Sequence, residues 1–190
     1  MFHVKQANDQ ATPRVLILPG WQGSGPSHWQ TRWEALHGYA RVEQHDWQQP
    51  RRGDWLARLD ETVIDSERPV VLVAHSLGCI LVAAWASFSR HTYKVRGALL
   101  VAPGDVEQPG LAPALPGWTP IVQEPLPFPS LLVASRDDPR CRFERAEQFA
   151  QAWGSRLVDA GARGHLNADS GLGDWPEGHA LLQPWLTGGV

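Results

Sequence analysis

The sequence has few of the features that mark specialised classes of protein. Cysteine occurs only twice in 190 residues, at Cys79 and Cys141, and the two do not form a C-x-x-C pair. This count excludes a disulfide framework, and unpaired cysteines are typical of proteins from reducing compartments. We therefore predict a cytoplasmic protein.

An excess of charge and long apolar runs are also missing. The 17 Lys and Arg residues against 20 Asp and Glu residues give a formal net charge of −3, so we predict no nucleic-acid partner. No apolar run approaches the roughly 20 residues that cross a bilayer, and the first ten residues lack the apolar stretch of a signal peptide. We predict no membrane partner, and the sequence does not identify a protein partner.

Motifs for metals and cofactors are not found either. The sequence has no H-E-x-x-H and no cluster of Cys and His at metal-ligand spacing, so no metal is predicted. The glycine-rich stretch 19–25 has neither the G-x-G-x-x-G of a dinucleotide site nor the Lys-Ser/Thr of a P-loop. No cofactor is therefore predicted.

The apolar residues that are present predict an α/β fold. Four continuous apolar runs of strand length, at 15–18, 70–74, 98–102 and 131–134, indicate strands buried on both faces of a mostly parallel sheet. Two weaker candidates, 41–45 and 156–159, bring the count to about six. Segments of helical length lie between them, and one further helix is expected at 177–186, which predicts helices on both faces of the sheet. We assign 1–13 to a polar tail and 14–190 to one domain.

One segment interrupts the alternation of strand and helix. Between Pro103 and Pro129 the chain holds eight prolines, which neither a regular helix nor a central strand accepts. Long irregular connections in compact domains often carry function. We predict a packed, irregular flap here and no lid domain.

The turn after the strand 70–74 is the strongest functional signal. Ala74-His75-Ser76-Leu77-Gly78 connects this strand to an apolar helix, which is the setting of a nucleophile elbow. Small residues two positions before and after Ser76 let strand and helix approach closely. We predict Ser76 as the nucleophile and interpret His75 as structural. The alternative is a serine that only caps the helix.

A serine nucleophile needs a base and an acid, which in this arrangement follow it in the order acid, then histidine. Asp137 and Asp138 come just after the strand 131–134, and we favour Asp138 because Pro139 fixes the turn that follows it. Asp137 stays as the alternative, and plain turn chemistry would explain both. Of the eight histidines, only His165 follows Asp138 in a loop after a strand, so it is the predicted base.

Backbone N–H groups complete the predicted site. The Leu77 N–H at the start of the helix and the Trp21 N–H in the loop after the first strand are the candidates for the oxyanion hole. Ten tryptophans are present, and Trp21, Trp118 and Trp175 lie in loops expected near the active edge. Our hypothesis is that these three line a substrate pocket, with core packing under loops as the alternative.

Together these motifs resemble the small serine hydrolases of the YdeN and retinoblastoma-binding-protein type, within the α/β-hydrolase superfamily. The resemblance rests on residues 18–21, 27–29, 74–78, 137–139 and 164–173 and extends over nearly the whole chain from about Arg14. It implies a single-domain α/β-hydrolase fold without a cap domain and a triad of Ser76, Asp138 and His165. It also implies hydrolysis of a small-molecule acyl ester or amide through an acyl-enzyme, with no natural substrate specified.

Two other functions stay open at this point. A peptidase or aminopeptidase would use the same three side chains on an amide substrate. A protein-interaction module on a hydrolase fold would use none of them, because a fold does not by itself imply a function.

Overall fold

The protein is described from a computed structural model over residues 11–187. Residues 1–10 of the predicted tail and the last three residues of the predicted domain lie outside the described residues. Six parallel strands form one sheet in the order β2-β1-β3-β4-β5-β6. The strands are β1 (Arg14–Leu18), β2 (Ala40–Arg41), β3 (Val70–His75), β4 (Val95–Val101), β5 (Ser130–Ala134) and β6 (Arg156–Asp159).

Within residues 11–187, six α-helices cover the two faces of this sheet. They are α1 (Trp29–His37), α2 (Arg52–Ile64), α3 (Leu77–Ala86), α4 (Phe143–Trp153), α5 (Pro176–Ala180) and α6 (Gln183–Leu186). Buried residues of α2, α3 and α4 pack on one face, and those of α1 and the segment 175–185 pack on the other. The predicted single-domain α/β-hydrolase fold, with about six strands between helices, is therefore confirmed.

Two elements differ from their predicted form. The second strand pairs over only two residues, where five were expected, because it lies at the sheet edge and Val42 is the one apolar residue of 41–45. The C-terminal segment forms two short helices where one was expected. Pro184 lies in the first turn of α6 and has no N–H with which to continue a helix from α5.

The tryptophans mostly build the core. Eight of the ten are buried, namely Trp29, Trp33, Trp55, Trp85, Trp118, Trp153, Trp175 and Trp185. Several of their rings pack edge to face or stacked, as in the pair Trp29 and Trp33 at 4.6 Å between centroids and the pair Trp55 and Trp118 at 5.4 Å. Such pairs contribute about 1 kcal/mol each beyond the area that they bury.

The segment between β4 and β5 is irregular and packed, as predicted. It forms no helix or strand, and Val106, Leu111, Leu115 and Trp118 are buried along it. The Trp118 N–H donates a hydrogen bond to the Pro50 carbonyl oxygen at 2.9 Å. This connection therefore lies on the same face as α2 and α3, and no cap domain lies above the sheet within residues 11–187.

Candidate active site

Ser76 occupies a strained turn at the carboxyl end of β3. Its φ of 56° and ψ of −119° place a residue with a side chain in a region that costs about 1–3 kcal/mol. The close packing around the turn holds this conformation. A Cβ on Gly78 would collide with the Leu18 carbonyl oxygen, and one on Gly20 would lie 3.0 Å from the Ser76 Cβ. The turn therefore presents Ser76 above the sheet edge, as the elbow predicts.

His165 reaches Ser76 from the loop after β6. Its Nε2 lies 2.9 Å from the Ser76 Oγ, although 89 residues separate the two in sequence. Positive φ angles at Gly164 (60°) and Leu166 (49°) turn the chain sharply on both sides of the histidine. The imidazole is thus placed where it can accept the hydroxyl proton.

Asp138 lies on the far side of the imidazole. Both of its carboxylate oxygens are 2.9 Å from the His165 Nδ1, and the side chains of Asp138 and His165 are 3% and 11% exposed. A carboxylate can only accept, so Nδ1 donates to it and Nε2 of the neutral ring is left free to accept from Ser76. Asp138 Oδ1 also accepts the Arg140 N–H at 2.8 Å.

The neighbouring carboxylate, Asp137, has a different position. Its Oδ1 accepts the Gly164 N–H at 2.7 Å and the Ser135 hydroxyl at 2.9 Å, and these bonds hold its pKa below the ordinary value. The Ser135 hydroxyl in turn accepts the Arg163 N–H at 2.8 Å. Asp137 therefore joins the loop after β5 to the loop that carries His165, and Asp138 contacts the imidazole itself.

Two buried histidines lie next to the His165 loop: His75 contacts the loop directly, and His28 packs against His75. His75 Nε2 donates to the His165 carbonyl oxygen at 2.9 Å, and the His28 ring meets the His75 ring edge to face at 4.7 Å between centroids. Burial lowers the pKa of His28 to about 4 and that of His75 well below its ordinary value, and the nearby His165 lowers both further. Both rings are therefore neutral at pH 7. His75 is structural, as its place in the turn suggested.

A cleft of about 320 Å³ opens over Ser76 at the carboxyl edge of the sheet. The loops after β1, β3 and β4 contribute Trp21, Leu77 and Gly104 to its lining, beside Ser76 and His165. Within residues 11–187, no backbone or side-chain acceptor pairs with the N–H of Trp21 or Leu77. Unpaired N–H groups beside a nucleophile can stabilise an oxyanion.

Comparison with known proteins assigns the family. The family model described as "serine hydrolase" matches residues 15–184, which is most of the chain. The protein belongs to the serine hydrolase family. A YdeN-like hydrolase from Pectobacterium atrosepticum is 30% identical, with 92% of this chain and 90% of that chain covered and a TM-score of 0.79. The resemblance to the YdeN type is therefore confirmed.

More distant structures share the fold of this serine hydrolase. The ydeN gene product of B. subtilis is 23% identical, with 92% of this chain and 98% of that chain covered and a TM-score of 0.73. Est1E from Butyrivibrio proteoclasticus, solved with ferulic acid bound, is 14% identical, with 94% and 91% covered and a TM-score of 0.68. No curated protein matches the chain.

Of the three tryptophans expected in the pocket of the serine hydrolase, the structure brings only Trp21 to the cleft. Trp118 is 0% exposed, because it packs against Trp55 in the core under the irregular segment. Trp175 is 6% exposed and packs between Trp29 and Trp33 on the opposite face of the sheet. The alternative interpretation of core packing under loops therefore holds for Trp118 and Trp175.

Several residues that line the cleft were not singled out from the sequence as site residues, among them Gly104, His28, Arg140 and Asn167. Gly104, which follows β4, leaves room for the nucleophile, because a Cβ there would lie 3.1 Å from the Ser76 Oγ. Its place just after a predicted strand was an available signal. His28, Arg140 and Asn167 also line the cleft, and no local pattern distinguishes them. Within residues 11–187, no group of three or more His, Cys, Asp or Glu side chains is placed to hold a metal ion.

Proposed function

We propose that this serine hydrolase cleaves small carboxylic esters through an acyl-enzyme on Ser76. The observation that carries the proposal is the continuous hydrogen-bonded chain from Asp138 through His165 to the Ser76 Oγ. A serine hydroxyl is a weak nucleophile at neutral pH, and a histidine oriented by a carboxylate is the arrangement that activates it.

In the proposed mechanism, His165 Nε2 takes the Ser76 proton while the Ser76 oxygen attacks the ester carbonyl carbon. The N–H groups of Trp21 and Leu77 stabilise the oxyanion, and Asp138 stabilises the imidazolium. His165 then protonates the departing alcohol, which leaves Ser76 acylated. Water, deprotonated by His165, attacks the acyl carbon. The bond to the Ser76 oxygen then breaks, this oxygen takes the proton back from His165, and the carboxylic acid is released. Loss of one oxyanion donor typically lowers turnover by about 10²–10³-fold.

Two further observations support an ester as the substrate. The cleft is about 320 Å³ and open to solvent, without a cap domain over it, so its size suits a small ligand. Esterases are among the proteins that share the fold, including Est1E and the carboxylesterase CesB from Bacillus subtilis, the latter with a TM-score of 0.65 and 13% identity.

We also propose a cytoplasmic location, which the buried free thiols of Cys79 and Cys141 support.

Labelling of the nucleophile and ester hydrolysis, measured on the same preparations, test the proposal. A fluorophosphonate probe should label the wild type, and Ser76→Ala should abolish labelling. Hydrolysis of 4-nitrophenyl acetate should fall by about 10⁴-fold or more in Ser76→Ala. Ser87→Ala is the matched control, because Ser87 caps the end of α3 through a bond to the Ala84 carbonyl oxygen. Labelling that persists in Ser76→Ala would contradict the proposal.

The same preparations separate the alternatives. A peptidase or aminopeptidase would label at Ser76 but prefer aminoacyl amides to aryl esters at equal concentration. A non-catalytic interaction module would give neither labelling nor turnover, with Ser76→Ala indistinguishable from the wild type.

A further inference from the structure

Within residues 11–187, the side chains that line the cleft carry no negative charge. Among the described lining residues there is no Asp or Glu, and Arg140 is the only Lys or Arg. Gln22, His28 and Asn167 add uncharged polar side chains around Ser76. A cleft with one cation and no carboxylate in its lining favours an anionic ligand.

The Arg140 backbone is held in place, while its guanidinium has no partner. Its N–H donates to Asp138, and its carbonyl oxygen accepts the Asp105 N–H at 3.0 Å and the Gln108 side-chain amide at 2.8 Å. No hydrogen bond or ion pair joins the guanidinium to any residue of 11–187. Two acids of the segment after β4, Asp105 and Glu107, pair with Arg145 instead.

An unpaired donor also lies on the other side of Ser76. His28 follows β1, whereas Arg140 follows β5, and these strands lie on opposite sides of β3. His28 Nδ1 accepts the Gln30 N–H at 3.1 Å, so the proton of the neutral ring is on Nε2. This Nε2 is buried without a hydrogen-bond partner, in a side chain that is 4% exposed. A buried N–H without an acceptor is costly, and its positive end adds to the charge of Arg140 from the opposite side of Ser76.

From these observations we infer the class of ester, an inference that rests on the proposed function. We propose that the cleft selects esters that carry a carboxylate, which Arg140 binds. A guanidinium fits a carboxylate with two parallel hydrogen bonds, and the single lining cation matches a single negative charge. An ammonium group, as in an aminopeptidase substrate, would meet a cation and no carboxylate in this lining.

Esters of matched size and different charge test this inference. The first series is the mono-4-nitrophenyl ester of adipic acid, its neutral carboxamide and the cationic 4-nitrophenyl 6-aminohexanoate. A second pair, 4-carboxyphenyl acetate and 4-carbamoylphenyl acetate, places the charge on the alcohol side. In at least one series kcat/KM should be about fivefold higher for the anion than for the neutral ester. Arg140→Gln should remove this preference, and added salt should reduce it.

Arg163→Gln is the matched control, because the Arg163 guanidinium is also exposed and has no hydrogen-bond or ion-pair partner within residues 11–187, but does not line the cleft. The anion preference should survive this change. Equal loss in both variants would assign the preference to the general surface charge and overturn the role of Arg140. Equal kcat/KM for anionic and neutral esters in both series, with Ser76-dependent turnover intact, would contradict the inference and leave the proposed function standing.

Binding of the same esters to Ser76→Ala gives a readout that needs no turnover. Isothermal titration should show tighter binding of the anion than of its neutral partner, and this difference should disappear in the double variant with Arg140→Gln. If no ester is hydrolysed by the wild type but this binding difference is present, the proposed function fails and the carboxylate site stands. If the difference is also absent, both fail.

Discussion

The two sides of the candidate site are held by different forces. On the nucleophile side, backbone packs directly on backbone, with Gly78 against the Leu18 carbonyl and Gly20 against Ser76. On the acid–base side, side chains join the loops after β5 and β6, as in the bond from the Gly164 N–H to Asp137. Substitutions that add atoms next to Ser76 should therefore destabilise the turn, whereas polar substitutions there should have little effect. The position and reactivity of His165 should instead change with the charge of its neighbours and with pH.

The largest expected effect is on the acid–base side. Asp138→Asn should lower kcat for 4-nitrophenyl acetate by about 10⁴-fold, because an amide no longer favours the His165 tautomer that can accept the Ser76 proton. The free energy of unfolding, measured in urea, provides the control and should change far less. A loss below tenfold would show that Asp138 does not orient the base.

The next effect tests the packed side. Gly78→Ala should lower the free energy of unfolding by about 3 kcal/mol, because the new Cβ collides with the Leu18 carbonyl oxygen. Gly53→Ala is the control, since a Cβ on this glycine of α2 meets no atom within 4 Å, and it should stabilise the protein by about 0.5 kcal/mol. Equal effects in urea unfolding would show that the turn does not depend on close backbone packing.

A pH effect should follow from His28, which packs on the His75 ring that is bonded to the His165 loop. The pKa of His28 is about 4 in the folded protein and about 6.5 when unfolded, so the unfolded chain binds the proton more readily. Stability is therefore complete above pH 6.5 and decreases as pH falls towards 4, by about 2 kcal/mol at pH 4.5.

His28→Asn provides the comparison for this pH effect. His28 caps the start of α1 by accepting the Gln30 N–H, and asparagine can also cap a helix but does not titrate. The difference in unfolding free energy between pH 7.5 and pH 4.5 should be about 2 kcal/mol smaller in this variant than in the wild type. Urea titrations at the two pH values measure it. Identical pH dependence in both proteins would show that His28 does not titrate below its ordinary range.

The smallest effect separates the two neighbouring carboxylates. Asp137→Asn should lower kcat by about tenfold, because the amide oxygen can still accept the Gly164 N–H but with a weaker bond than a carboxylate. The same 4-nitrophenyl acetate assay as for Asp138→Asn measures it. If Asp137→Asn costs as much as Asp138→Asn, holding the loop matters as much as contact with the imidazole.

Patterns along the chain were sufficient for much of the fold and for the order of the site residues. The apolar runs that became β3, β4 and β5 are continuous because these strands are buried on both faces. Ser76 was identifiable because the elbow is local, a strand and a helix joined by one turn. His165 was identifiable by its order in the chain and its place after a strand, which in a parallel sheet puts it at the same edge as Ser76.

Other features could not be predicted because they depend on contacts between distant segments. Trp21, Trp118 and Trp175 all lie in irregular stretches, yet only Trp21 faces the cleft, because the other two fill the core on opposite faces of the sheet. The Arg140 guanidinium is left without an ion-pair partner within residues 11–187, because Arg145 pairs with Asp105 and Glu107 of the segment after β4.

The sequence by itself determined the parallel sheet, the strained turn at Ser76 and the order in which Asp138 and His165, the proposed acid and base, follow it. These features depend on hydrophobic periodicity and local backbone geometry, which are encoded within a few neighbouring residues. Only the tertiary structure decided that Asp138 contacts His165 while Asp137 bonds to Gly164 in the same loop. It also decided that His28 packs against His75 with an unpaired N–H. Those outcomes depend on ångström-scale distances between loops far apart in the chain.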